Sequence, residues 1–184
     1  MSAPPPDSVT IEAIVTAARE QLRMDGTGEQ MLLERLAATA VTLAERFTGI
    51  LLVERAGEDV LPATGSWQRL AGSPVTLIAG MTGLSADGAP FALSPESFGF
   101  DIDAGGDGWV RVLEAGAAAR VAVAYRAGLA ATWEAVPAAI AQATAMLVAH
   151  LFEDRSAATL PPAAVAALLR PWRRMALGQA ERRA

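Results

Sequence analysis

Apolar positions along the chain follow two different periods. From Thr10 to Met24, Ile11, Ile14, Val15, Ala18 and Leu22 recur on one face of a 3.6-residue turn, which predicts a first helix. The stretch "MDGTG" breaks it, and Thr27 with Gln30 forms a Thr-x-x-Gln capping box opening a second helix over about 28–48. Its stripe Leu32, Leu36, Ala40, Leu43 and Phe47 is predicted to face the core, and Gly49 is a natural stop. The short turn between them makes the two helices antiparallel neighbours.

From Ile50 to Gly128 the period shortens. Twelve of the 16 glycines fall in this span, and the apolar runs "SPVTLIAGM", "WVRVLE" and "RVAVAYRAG" sit between turn residues, as strands do. Val121, Val123 and Tyr125 alternate strictly, which gives that strand one apolar face and one face of alanines. The helical period resumes at Pro137, suited to a first helical position because its missing N–H has no intrahelical partner there. Ile140, Thr144, Leu147, Val148 and Leu151 carry this helix to about residue 155. A last helix starts at Pro161 or Pro162 and runs to about 177, with Pro171 kinking or ending it. The fold class expected from these elements is α+β and mainly α. It is a single domain over residues 1–177, a bundle of about four helices with a small antiparallel β insertion at about 50–128. Residues 178–184 form a flexible basic tail, and no repeat at a solenoid period is found.

A length of 184 residues fits one ordinary domain with a real core. With no cysteine, the chain has no disulfide, thiolate metal site, iron–sulfur cluster or thiol nucleophile. The N-terminus lacks the basic start and apolar run of a secretory signal, so a cytoplasm is the expected place of synthesis. The 18 uncharged residues between Glu134 and Glu153 are the best membrane candidate. A helix starting at Pro137 there is only about 24 Å long against a bilayer core of about 30 Å, so burial in protein is expected.

Charge divides the chain. Residues 1–169 hold 10 basic against 19 acidic groups, a net of −9, whereas residues 170–184, "RPWRRMALGQAERRA", hold five arginines and one glutamate. The body repels polyanions. All 15 basic residues are arginine, a mark of GC-rich coding more than of binding chemistry. For the tail, three readings stand: a grip on nucleic acid, a seat on an acidic partner, or a frayed end.

Candidates for chemistry are few. His150 and Glu153 share a helix face, but two ligands do not make a metal site. A small hydrolase or metal enzyme using His150, Glu153 and Asp154 is the weakest functional class. Asp101 and Asp103 occupy the first and third positions of a calcium loop, but Gly105 and Val112 stand where later ligands belong, so a glycine-rich turn is expected. Asp87-Gly88 is likewise a hairpin turn dipeptide. No nucleophile elbow and no phosphate-cradling glycine loop occurs. Trp67, Trp109 and Trp133 are expected in packing, since no aromatic and basic interleaving of a base-stacking surface is found. Neither a catalytic residue, a metal nor a cofactor is expected.

Seven short motifs, in order and spread over nearly the whole chain, carry a resemblance. They are "LRMD" (22–25) followed by Glu29 and Leu32, "AERFTG" (44–49), "SPV" (73–75), "AYRAG" (124–128), "VPAAI" (136–140), "FEDR" (152–155) and "LLRPWR" (168–173). Together they resemble the head-tail connector (adaptor) family of long-tailed bacteriophages and gene transfer agents. That resemblance implies a non-enzymatic virion protein at the head-tail junction, made in a bacterial cytoplasm. It implies a ring of copies, twelve-fold like the portal, with the portal protein and tail-side connector or stopper proteins as partners and DNA only passing through. The family's C-terminal segment reaches the portal. Arg170, Trp172, Arg173 and Arg174 are therefore expected at portal docking, since arginine and tryptophan are enriched at binding hot spots. Helix-end packing is the other reading of these four. The alanine-rich helices and the stretch after Leu177 depart from the family pattern. A nucleic-acid-binding protein using the arginine-rich C-terminus is the alternative function.

Overall fold

The computed structural model describes residues 4–24, 28–154 and 161–174, which fall into two compact units. One unit, residues 5–53 with 130–174, holds the helices, and the other, residues 54–129, holds the strands.

In the helical unit, Asp7 starts α1 (Ser8–Leu22) by accepting the Thr10 N–H at 2.8 Å, which satisfies one orphan donor of the first turn. Arg23 closes the helix in the left-handed region, its N–H reaching the carbonyls of Arg19 and Glu20. The second helix, α2 (Gln30–Thr48), follows Glu29, also left-handed, with no side-chain cap bond. The expected cap residue Thr27 lies outside the described residues. Gly49, at φ +74, ends α2 and donates to the Glu45 carbonyl at 2.7 Å. Helix α3 (Ala138–Glu153) is preceded by Pro137, which sits one position before the first helical residue rather than on it. The short α4 (Ala163–Leu169) continues into a 3-10 turn, Arg170–Trp172, where Pro171 breaks the α-helical pattern.

Helix α3 packs against α1, α2 and α4. Its buried set, Ile140, Ala143, Thr144, Ala145, Leu147, Val148 and Ala149, wraps most of its circumference, and the small members let neighbours approach closely. Thr144 is fully buried and satisfies its hydroxyl on the Ile140 carbonyl at 2.9 Å. No helix among the described residues is long and apolar enough to cross a membrane.

The core face of α2 differs from the expected one. Leu33, Ala37, Ala40, Val41, Ala44 and Thr48 are buried. Of the expected stripe, Ala40 is buried, Leu32 and Leu36 are half-buried, and Leu43 and Phe47 are 40% and 36% exposed. The helix is thus turned so that Leu33, Val41 and the small residues between them are buried while Leu43 and Phe47 lie on the flank.

Where the chain leaves and re-enters this unit, Val53 and Ala130 form a parallel bridge, and the Ala130 N–H donates to the Leu52 carbonyl at 3.2 Å. Glu45 of α2 accepts the Leu52 N–H at 3.0 Å, tying the exit to the helix.

The strand unit contains β1 (Arg55–Pro62), β2 (Gln68–Arg69), β3 (Val75–Leu84), β4 (Pro90–Ala92), β5 (Phe98–Ile102), β6 (Gly108–Val112) and β7 (Arg120–Ala127). They form two antiparallel sheets, one ordered β1-β7-β3-β4 and the other β2-β6-β5. Val121, Val123 and Tyr125 are buried, as their alternation predicts. The helical bundle with a small β insertion is overturned. The described residues are 41% helix and 27% strand, so the molecule is a mixed α/β fold in which the sheets are a principal component. Strands such as β1, "RAGEDVLP", carry no apolar alternation and owe their form to the ladder with β7, Arg55 opposite Ala127 through Pro62 opposite Arg120.

One buried polar cluster locks this unit. Asp59 on β1, 2% exposed, accepts the Tyr125 hydroxyl at 3.1 Å and the Ala71 N–H at 2.6 Å. The same hydroxyl accepts the Gly72 N–H at 3.1 Å, so β1 and β7 hold the connection from β2 to β3. Gly57 and Gly72 flank the ring closely enough that a Cβ on either would lie 2.8 Å and 2.5 Å from its carbons.

Candidate docking site

The predicted docking residues follow directly from α4. Arg170 caps that helix, its N–H bonded to the Ala166 carbonyl, and its side chain is exposed. Trp172 ends the 3-10 turn half-buried, and Arg173 is exposed. Arg174 donates its backbone N–H to the Thr48 carbonyl at 2.7 Å. Thr48 is the last residue of α2, so its carbonyl is one of the orphan acceptors at a helix C-terminus, and the chain after α4 caps it. Positive side chains at this end meet the negative pole of the helix dipole. The Arg173 guanidinium lies 5.7 Å from the Phe47 ring centroid, a cation–π contact of about 0.5–1 kcal/mol at an exposed site.

Two things follow from this geometry. The segment is oriented by packing on the end of α2, and the guanidinium of Arg170 and part of the Trp172 indole remain turned to solvent. A cation pair and an indole on an anchored turn form a small patch able to engage carboxylates bidentately and bury an aromatic anchor. Residues 178–184, the expected flexible tail, lie outside the described residues. The apolar spacing of α2 assigns Phe47 to the core, whereas it lies here. No sequence signal joins positions 47 and 173, which meet only through the packing of α4 beside α2.

The other candidate residues have local structural roles. His150 is in the last turn of α3, half-buried, and its carbonyl accepts the N–H of Asp154, the C-cap. Glu153 is exposed beside it. Among the described residues no three His, Asp or Glu side chains group as a metal site would require. Asp101 ends near the tip of β5, and Asp103 starts the turn to β6. The Asp103 carboxylate accepts the N–H groups of Gly105 and Asp107 at 2.9 and 3.0 Å and the Trp109 indole N–H at 2.9 Å. Asp107 in turn holds Arg69 and the Ser73 hydroxyl, each at 2.8 Å. Asp87-Gly88 turns between β3 and β4, with Gly88 at φ +86. Trp67 lies under the Arg111 guanidinium at 4.6 Å, and Trp133 is buried in a 3-10 turn before α3.

Two surface depressions among the described residues are open. One is lined by Met31, Glu34, Arg35 and Ala38 of α2, another by Thr16, Arg19, Glu20, Arg23 and Met24 of α1. Both lack the enclosed apolar walls of a small-molecule site.

No family model matches the sequence, and no curated protein matches it. Solved structures do match in fold along nearly the whole length. The neck of an empty gene transfer agent (GTA) particle computed with C6 symmetry has a TM-score of 0.75 and 25% identity, covering 98% of this chain and all of its own. The neck of a native GTA particle computed with C12 symmetry has a TM-score of 0.71 and 26% identity, with the same coverage. A chain of the virion of a native GTA particle has a TM-score of 0.70 and 26% identity, covering 98% of this chain and 99% of its own. This end-to-end likeness to neck components bears out the resemblance to the head-tail connector family that the sequence motifs carry.

Proposed function

We propose that this chain is a structural head-tail connector of a gene transfer agent or phage particle. In this reading it resides in the particle neck, assembles as a ring, and joins the DNA-filled head to the tail. One observation carries the reading: the likeness to GTA neck chains spans both units, from one end of the sequence to the other. Neck structures computed with C6 and C12 symmetry support a homo-oligomeric ring, and the C12 structure is the one that suits twelve copies. The net charge of −9 over residues 1–169 suits a channel wall along which DNA slides, because phosphate-neutralising cations would hold it by counterion release.

The portal protein is the partner on one side of the ring and tail-side connector or stopper proteins are the partners on the other. Arg170, Trp172, Arg173 and Arg174 dock on the portal, their turn already ordered by the end of α2. Preorganisation of this kind lowers the ordering cost of binding. The role is one of assembly, with no chemistry assigned to His150, Glu153 or Asp154. The direct test removes the gene from producing cells and inspects particles by electron microscopy. Filled heads without attached tails are expected, and particles with normal tails would sink the proposal.

A further inference from the structure

Helix α2 carries a second apolar flank outside its own unit's core. Leu32, Leu36, Leu43 and Phe47 line it, and the charged residues bordering it on the solvent side are Arg35 and Arg46, both exposed. Within α2 itself the acidic residues Glu34 and Glu45 are on the opposite flank, where Glu34 accepts from Gln30 and Glu45 from the Leu52 N–H, and Glu29 stands at the cap before the first turn. Such large apolar side chains beside arginine are the composition of an interface core.

The outward face of α1 is its complement. Val9 is 70% exposed, and Glu12, Thr16 and Glu20 continue from it at helical spacing, all exposed, with the small side chains of Ala13 and Ala17 beside them. Asp7 caps the start of this face, and Arg23 lies just past its end. The lengths also agree. Arg35 to Arg46 spans about 16 Å along the helix and Glu12 to Glu20 about 12 Å, a difference that two arginine side chains bridge.

Resting on the connector reading, the geometry points to a heterologous subunit interface in which the α2 flank of one copy packs on the α1 face of the next. Arg35 and Arg46 meet Glu12 and Glu20 across it, and Leu36 and Leu43 seat against Val9, Ala13 and Ala17, with Phe47 at the edge where Arg173 lies against its ring. Two different faces on one protomer build a ring when the rotation between copies closes, as the connector reading requires, whereas a self-complementary face would stop at a dimer. Because both faces belong to the helical unit, the copies join through it.

The test is charge reversal scored by incorporation of the full chain into purified particles, with thermal melting as the folding control. R35E/R46E and E12R/E20R should each lower incorporation by more than about tenfold, since like charges face each other across the contact. The combination of all four reversals should restore it to within about threefold of wild type. Two unimpaired double variants would overturn the interface, as would a combination that does not rescue. The sequence has no cysteine, so T16C/T39C supplies unique thiols. A thiol-to-thiol cross-linker should give a ladder of multimers from the double variant in particles and none from either single variant. A ladder from T16C alone would mean that α1 meets α1, which overturns the pairing. Absence of the wild-type chain from particles would instead defeat the connector reading itself, so the two failures are distinguishable.

Discussion

Replacing Tyr125 by phenylalanine isolates the polar lock of the strand unit, because the ring stays and only the hydroxyl goes. That oxygen donates to Asp59 and accepts from the Gly72 N–H, each at 3.1 Å, in a site where Tyr125 is 4% exposed and Asp59 2%. A hydrogen bond to a carboxylate contributes about 1.5–3 kcal/mol, and a buried N–H left without a partner costs about 1–3 kcal/mol. Both bonds are at the long end of the normal range, which favours the lower halves of these figures, so a total loss of about 2.5–4 kcal/mol is expected. Asp59 keeps its short bond from the Ala71 N–H and limits the damage. Urea unfolding followed by tryptophan fluorescence measures the change, and a double-mutant cycle with Asp59→Asn should give a coupling of at least about 1 kcal/mol. A Tyr125→Phe variant within about 0.5 kcal/mol of wild type at an unchanged denaturant slope would refute the lock, since that is the scale of ordinary surface changes.

The same phenol makes a pH prediction. Burial first, and then the Asp59 carboxylate, push its pKa from 10.0 up to about 12, so its stabilising contribution is complete below about pH 10 and is lost as pH rises from 10 to 12. The chain has one tyrosine, so tyrosinate absorbance reports on this group alone; titration at the ordinary value in the native protein contradicts the burial argument. Gly72→Ala places a Cβ 2.5 Å from a Tyr125 ring carbon and 3.1 Å from the Ala127 Cβ, an overpacking expected to cost about 1–3 kcal/mol in thermal or urea unfolding; a neutral variant would show that the loop yields freely. At the docking patch, Arg170→Glu with Trp172→Ala should weaken capture of the chain by its portal by more than about tenfold while leaving its melting temperature within a few degrees of wild type. Undiminished capture removes these residues from docking. A steep fall of DNA affinity with salt, close to 0.9 log units per phosphate contacted, would instead favour the nucleic-acid alternative.

Whatever depends on neighbours along the chain was legible in the order of residues. The 3.6 period located α1 and α3, the strict alternation of Val121, Val123 and Tyr125 located β7 and its buried face, Asp87-Gly88 marked a turn, and Pro171 marked the end of α4. Each is a local steric or hydrogen-bonding preference, complete within a few residues. The size of the β component emerges only on folding, because β1 contains two acidic residues and a glycine and becomes a strand by pairing with a segment far along the chain. Folding also decided which side of α2 faces inward. Apolar residues cover half of that helix, and the alanine-rich surface of α3 admits close approach, so the side with Ala37, Ala40 and Ala44 is buried and the side with Leu43 and Phe47 is left on the flank. Asp59 finds its partners 12 and 66 residues away, and Arg173 meets Phe47 across two helices. Such contacts arise from packing, whose free energy depends on shapes brought together from distant parts of the chain, and no local pattern encodes them.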